Sequence, residues 1–194
     1  MYRRVRSASW RLLGLPPAPP PEGPPRLIPP DLVKDALRAH GMFRMVALGA
    51  SMAPAILHGE ELVFEPVALD RVQTGDVLLA YYSSQPRFCI HRVVGRVGGA
   101  VLTKGDSLDV LDEPVQSPEL LGRLRRLQQG SRAVDVARPH QRAVAVVLAR
   151  LSLLSVVVAS AVGSGPVSTA IARLLRVPGF LLAYLVFGLP RRLR

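Results

Sequence analysis

Residues 88–106 read FCIHRVVGRVGGAVLTKGD, and the paired glycines in the middle decide the fold class. Gly98 and Gly99 lie between two runs rich in Val and Ile, where both central residues of a tight turn often need φ > 0. An antiparallel hairpin is therefore predicted here, and similar strand-and-turn chemistry continues on either side. Upstream, VLLAYY (77–82) follows the turn signal Gln73-Thr74-Gly75-Asp76, LVFEPV (62–67) is a short strand broken by Pro66, and MVAL (45–48) precedes a loop. Downstream, LGRLRRLQ and SRAVDVAR, separated by a Gln-Gly turn, read as a further strand pair. From Phe43 to about Arg138 the chain is expected to form six or seven short strands. One helix precedes them: Asp31 is read as its cap, Leu32, Ala36 and Leu37 as its apolar face, and Gly41 as its stop. The predicted β domain spans 31–138.

The flanks differ from it. Residues 1–30 form a basic, proline-rich segment. Its first fifteen residues are too short and too charged to span a bilayer and lack the apolar core and cleavage site of a secretory signal. Positions 16–30 carry nine prolines, which make a stiff, extended linker. Residues 139–194 are read as an apolar helical tail. Within them 143–162 (AVAVVLARLSLLSVVVASAV) has Arg150 as its only charge, and as helix it covers about 30 Å, the thickness of a bilayer core. A deeply placed Arg costs roughly 2.5–3.5 kcal/mol on insertion scales, so spanning the bilayer and lying on it are both open. VSTAIARLLR and PGFLLAYLVFGLP follow, the latter too short to span alone. A membrane-associated chain is expected, with the side of the membrane unassigned and a cytoplasmic location as the alternative.

Of the 25 cationic residues only Lys34 and Lys104 are lysine, and the arginines are scattered rather than gathered on one element. The net charge of +11 therefore fits an anionic membrane surface better than nucleic acid, and no nucleic-acid partner is expected. Cys89 is the only cysteine, which excludes an intrachain disulfide and a multi-cysteine metal site.

The candidate chemistry rests on hydroxyl, imidazole and carboxylate groups. Ser51, in LGASMAPAILHGEEL (48–62), is either a turn residue or a nucleophile, and a serine nucleophile needs a base oriented by a third group. His40 ends the helix, His140 sits in RPHQR, and His58 lies in a turn expected to be exposed. His91 is mid-strand, where alternation puts Cys89, His91 and Val93 on one face and Phe88, Ile90 and Arg92 on the other. Asp106, Asp109 and Asp112 follow in TKGDSLDVLD, as a polar loop or as partners for a catalytic imidazole. Spacing alone does not bring any of them to Ser51. Cys89 is not expected to act as nucleophile with His91, because residues i and i+2 run side by side, about 6–7 Å apart at the backbone. His58-Gly59-Glu60 matches half of a zinc-deaminase signature, but no Cys-x-x-Cys accompanies it. No phosphate loop and no HExxH motif are present, so no cofactor is expected.

The order of these pieces (G-x-S-M-x-P, a Gly-acidic turn, G-D-V, H-R-V, T-K-G-D, a later Asp, L-G-R) resembles the type I signal peptidase family. The resemblance covers about residues 44–128 and is closest to the Ser–His branch of the endoplasmic reticulum, archaea and some bacteria. It implies a signal-peptidase/LexA-like coiled β-sheet domain and a serine endopeptidase acting on a peptide or preprotein. Ser51 would be the acylating nucleophile, His91 the general base, Asp112 the third catalytic position and Asp106 a second acidic residue, supporting or structural. Lys104 would belong to the KGD motif and not be the base, and the Ser51 N–H would be one oxyanion donor. The sequence departs from the family at Gly49, where a serine is common, at Gly59-Glu60 in place of Gly-Asp, and in the proline linker standing where an N-terminal anchor is common. Two rival readings are a self-cleaving repressor-type peptidase and a catalytically silent module that binds a membrane or a partner. The oligomeric state is not readable.

Overall fold

The computed structural model describes residues 28–129 and 132–162. The basic segment and most of the proline-rich linker, the turn at 130–131 and the apolar stretches beyond 162 lie outside the described residues. The architecture is a mainly antiparallel β-sheet with two helices. In chain order these are α1 (Pro30–His40), β1 (Phe43–Val46), β2 (Glu61–Glu65), a 3-10 turn (Leu69–Arg71), β3 (Val77–Tyr82), β4 (Arg87–Val97), β5 (Ala100–Lys104), β6 (Leu120–Gln129), β7 (Arg132–Asp135) and α2 (Pro139–Val162).

The sheet runs β1-β2-β6-β3-β4-β5, with β7 also on β6, and every pairing is antiparallel. Leu127 of β6 faces Leu62 of β2 on one edge and Val134 of β7 on the other, while Gly122 faces Leu79 of β3. The long β6 therefore shares one edge between β3 and β7, and β2 occupies the other. Register shifts at Val63/Phe64, Leu79/Ala80 and Val93/Gly95 interrupt three ladders, and such bulges bend and twist strands. Gly98 and Gly99 make the β4–β5 turn with φ of 53° and 84°, the left-handed geometry expected from their pairing in the sequence.

Alternation along the strands yields two buried clusters. One joins Val33 and Leu37 of α1 to Met52, Ile56, Phe64, Leu79, Leu127 and Leu148 of α2. The other collects Leu78, Tyr82, Cys89, Val93, Val101 and Val115. The faces predicted for β4 hold: Cys89 and Val93 belong to the second cluster, while Phe88 and Ile90 pack against the first. The α1 expectations need correction. Pro29 occupies the cap position and Pro30 opens the helix, where its fixed φ suits the first turn, with Asp31 inside that turn. The buried residues are Val33 and Leu37, and Leu32 faces outward at 58% exposure, because the core lies one residue further round the helix than the Leu32–Ala36 spacing suggested. Gly41 ends the helix as expected, with φ of 68° and its N–H donating to Leu37 O.

Over Pro139–Val157, α2 is long and apolar enough to cross a membrane; the core helix of a soluble protein has the same length and composition. One face packs on the sheet: Gln141, Leu148, Ala149, Ser152 and Ser155 are buried, and Ser152 Oγ accepts a 2.7 Å hydrogen bond from the fully buried Lys104 Nζ. The other face leaves Val147, Leu154 and Val157 about half exposed, with Arg150 among them. Leu148→Ala is expected to cost about 2–5 kcal/mol in denaturant unfolding. Val157→Ala should stay within about 0.5 kcal/mol. Equal effects would mean that α2 is not part of the folded unit.

Candidate active site

Three segments meet at the carboxyl ends of β1 and β5. The first is the loop 47–60, closed at its stem by Ala47 N–H to Glu60 O (2.8 Å) and Gly59 N–H to Ala47 O (2.9 Å). It is anchored in the core by Met52, Ala55 and Ile56. Its tip carries Ser51, with turn bonds from Ala53 N–H to Ala50 O and from Ile56 N–H to Met52 O, and a cis Ala53–Pro54 peptide. The second is β4, which carries His91. The third is the segment 105–119, which runs back along β5 through the Val101↔Val115 bridge and the Asp112 N–H bond to Thr103 O (2.9 Å).

The first and third segments are tied directly. Ser107 N–H donates to Ser51 O at 2.9 Å, and Ser107 Oγ donates to Ala50 O at 2.8 Å. Gly105 makes this approach possible: a Cβ there would stand 2.8 Å from Ser51 O. These bonds hold Ser51 Oγ 3.0 Å from His91 Nε2, while His91 Nδ1 lies 2.6 Å from Asp112 Oδ2. The same carboxylate oxygen accepts from Thr103 Oγ1 at 2.9 Å. The His91 and Asp112 side chains are 8% and 7% exposed. An ionised carboxylate only accepts, so the proton sits on Nδ1 and Nε2 offers its lone pair to the Ser51 hydroxyl. Among the described residues the Ser51 N–H donates to no backbone acceptor.

The two candidate aspartates separate by role. Asp112 orients His91. Asp106 instead forms a two-pronged ion pair with Arg92, at 2.8 and 2.7 Å, while Arg92 also donates to Gly75 O. It pins the KGD turn to β4 and does not touch the imidazole. Lys104 points into the α2 interface, at Ser152 and Gly105 O, on the opposite side from a base's place. Two residues that sequence reasoning passed over complete the arrangement. Thr103 shares a TKGD motif whose neighbours were all noted, and Ser107 follows it directly. Only the return of segment 105–119 along β5 gives them their partners.

Two expectations about the neighbours are corrected. His58 is half-buried rather than exposed, because its Nδ1 accepts the Gly49 N–H at 3.2 Å across the loop. Cys89 Sγ lies 3.0 Å from His91 Nδ1, far closer than the backbone spacing suggested, since both side chains lean into one pocket. It is still no nucleophile: burial first, and the Asp112 charge second, push its thiol from 9.0 up to about 12. Gly49 has φ of 94°, a conformation that strains any side chain, so a serine at that position would carry backbone strain although nothing lies within 4 Å of where its Cβ would stand. Cys89 Sγ, one His91 ring nitrogen and an Asp112 oxygen lie within 4.8 Å of one another, a mixed donor set with the makings of a metal site.

No protein-family model, curated protein or solved structure matches the chain.

Two predictions follow from the geometry. Asp106→Asn, which strands a buried guanidinium, should lower stability by about 3–5 kcal/mol in urea unfolding. Arg38, whose side chain is 77% exposed on α1, gives the reference, and Arg38→Ala should change stability by less than about 0.5 kcal/mol. Cys89, whose folded pKa lies above its unfolded value, supplies stability that is complete below pH 9.0 and lost as pH climbs toward about 12. Alkylation of the native thiol should therefore stay far slower than that of an ordinary thiol between about pH 7 and 9.5, and should still be climbing where the rate of an ordinary thiol levels off at about pH 9. A rate that levels off at about pH 9 like that of a free thiol would contradict the burial described here.

Proposed function

We propose that this chain is a serine endopeptidase of the type I signal peptidase kind, on the coiled-sheet fold that this resemblance implies. The observation that carries the reading is the unbroken relay from Ser51 Oγ through both His91 nitrogens to Asp112, built from three separate segments. Its members are three of the four residues that the resemblance named, the fourth, Asp106, being paired with Arg92.

In this reading His91 Nε2 takes the Ser51 proton as Oγ attacks the scissile carbonyl, and Asp112 stabilises the resulting imidazolium. The carbonyl carbon becomes tetrahedral, and the Ser51 N–H would donate to the developing oxyanion. His91 then protonates the leaving amine, the Ser51 ester forms, and water deacylates it through the same base. Because Gly49 supplies no hydroxyl, oxyanion stabilisation rests on backbone donors.

The substrate would bind as an added strand. Among the described residues β1 is an edge strand paired only with β2, and the chain runs directly from it into the Ser51 loop. Met42, Val46 and Leu48 are 50%, 49% and 71% exposed along this approach, with the exposed Arg44–Glu61 pair between the first two, a mixed but largely apolar track for an extended peptide. Membrane association would come from α2, whose outward Val147, Leu154 and Val157 with Arg150 suit a helix lying in the interface.

A serine-directed fluorophosphonate should label the wild-type chain on Ser51. Ser51→Ala should abolish labelling, and Asp112→Asn should slow it by about 10³–10⁴. Equal labelling of wild type and Ser51→Ala, or no labelling with a range of serine probes, would overturn the assignment.

A further inference from the structure

The relay uses Ser51, His91 and Asp112 and leaves one group able to ligate a metal beside it without a task. Cys89 Sγ is buried, contacts His91 Nδ1 at 3.0 Å, and faces the nitrogen that Asp112 also approaches at 2.6 Å. Thiol, imidazole and carboxylate converge on one point from two elements, β4 and the segment 105–119. Thiolate with imidazole selects borderline and soft ions such as Zn²⁺ over Mg²⁺ or Ca²⁺.

We infer that Cys89, His91 Nδ1 and Asp112 form an inhibitory binding site for a single Zn²⁺-class ion that switches the relay off. The fit is close. Zn–S near about 2.3 Å and Zn–N or Zn–O near about 2.1 Å, arranged tetrahedrally, hold ligand atoms about 3.4–3.6 Å apart. Sγ and Nδ1, now 3.0 Å apart, and Nδ1 and Asp112 Oδ2, now 2.6 Å apart, each need to separate by less than about 1 Å, which small rotations of the three side chains can provide. Three protein ligands leave the fourth position to solvent.

The chemistry of inhibition follows from the ring. Zinc forms bonds to Sγ, Nδ1 and a carboxylate oxygen. The thiol proton leaves to solvent, and the imidazole proton moves from Nδ1 to Nε2. No redox change occurs, and the site goes from a net charge of −1 to neutral. With its proton on Nε2, the imidazole donates to Ser51 Oγ and cannot accept from it, so Ser51 loses its base while remaining in place. The inhibition rests on the peptidase reading; the metal site does not.

The test uses the purified full chain, freed of metal by chelation and kept reduced. Addition of Co²⁺ should give a thiolate-to-cobalt charge-transfer band with the visible spectrum of a tetrahedral ion, displaced by one equivalent of Zn²⁺. Cys89→Ser should remove the band, Asp112→Asn should weaken binding about tenfold or more, and His40→Ala, remote on α1, should leave it unchanged. Circular dichroism of each variant checks that it is folded. In the second arm, stoichiometric Zn²⁺ should slow fluorophosphonate labelling of Ser51 at least tenfold, with recovery on chelation, and the slowing should vanish in Cys89→Ser relative to its own chelated rate. Absence of the charge-transfer band, or its persistence in folded Cys89→Ser, would overturn the site. Unchanged labelling with zinc bound would overturn the switch. Labelling absent under every condition would sink the peptidase reading alone, and the cobalt spectrum would still decide the metal site.

Discussion

A buried neutral imidazole has one nitrogen that donates and one that accepts, and its partners decide which is which. At His91 the Asp112 carboxylate, which has no proton to give, fixes Nδ1 as donor and leaves Nε2 as acceptor toward Ser51. Every other feature of the site keeps that assignment in place. Thr103 donates to the same Asp112 oxygen, and the Asp112 N–H is tied to Thr103 O, so the carboxylate is held from two sides. The 7% exposure of Asp112 keeps water from competing for its oxygens.

The fold supplies that geometry through two loop anchors rather than through the sheet alone. Ser51 is positioned by the hairpin stem at Ala47 and Glu60 and by its carbonyl bond to Ser107. The segment bearing Ser107 and Asp112 is in turn held to β4 by the Arg92–Asp106 pair. Lys104 ties the preceding strand to α2 through Ser152, so α2 braces the strand from which the segment departs. The result is a short chain of contacts from helix to strand to relay.

Much of this was legible in the sequence, for identifiable reasons. Period-two alternation placed Cys89 and Val93 on one face and Phe88 and Ile90 on the other, because a strand's side-chain period is fixed by its backbone. Gly98-Gly99 gave the hairpin because few other residues accept φ of 53° and 84° together. What local pattern lacks is any record of which strands become neighbours. The placement of β6 between β2 and β3, the return of 105–119 along β5, and hence the choice of Asp112 over Asp106, all depend on long-range pairing. The α1 face was misjudged by one position for a related reason: Leu32 and Val33 are both apolar, and only the location of the core chooses between them. The 3.0 Å Cys89–His91 contact is not legible in the sequence, because backbone spacing constrains Cα atoms and leaves side-chain tips free to converge.

The relay stands on the tautomer of His91, and nitrogen-15 NMR of the imidazole ring reads it directly. The neutral ring of metal-free wild-type protein should show a protonated Nδ1 carrying a strongly deshielded proton and an unprotonated Nε2, with the Nδ1 proton losing its deshielding in Asp112→Asn. A ring carrying its proton on Nε2 in the metal-free wild type would contradict the relay.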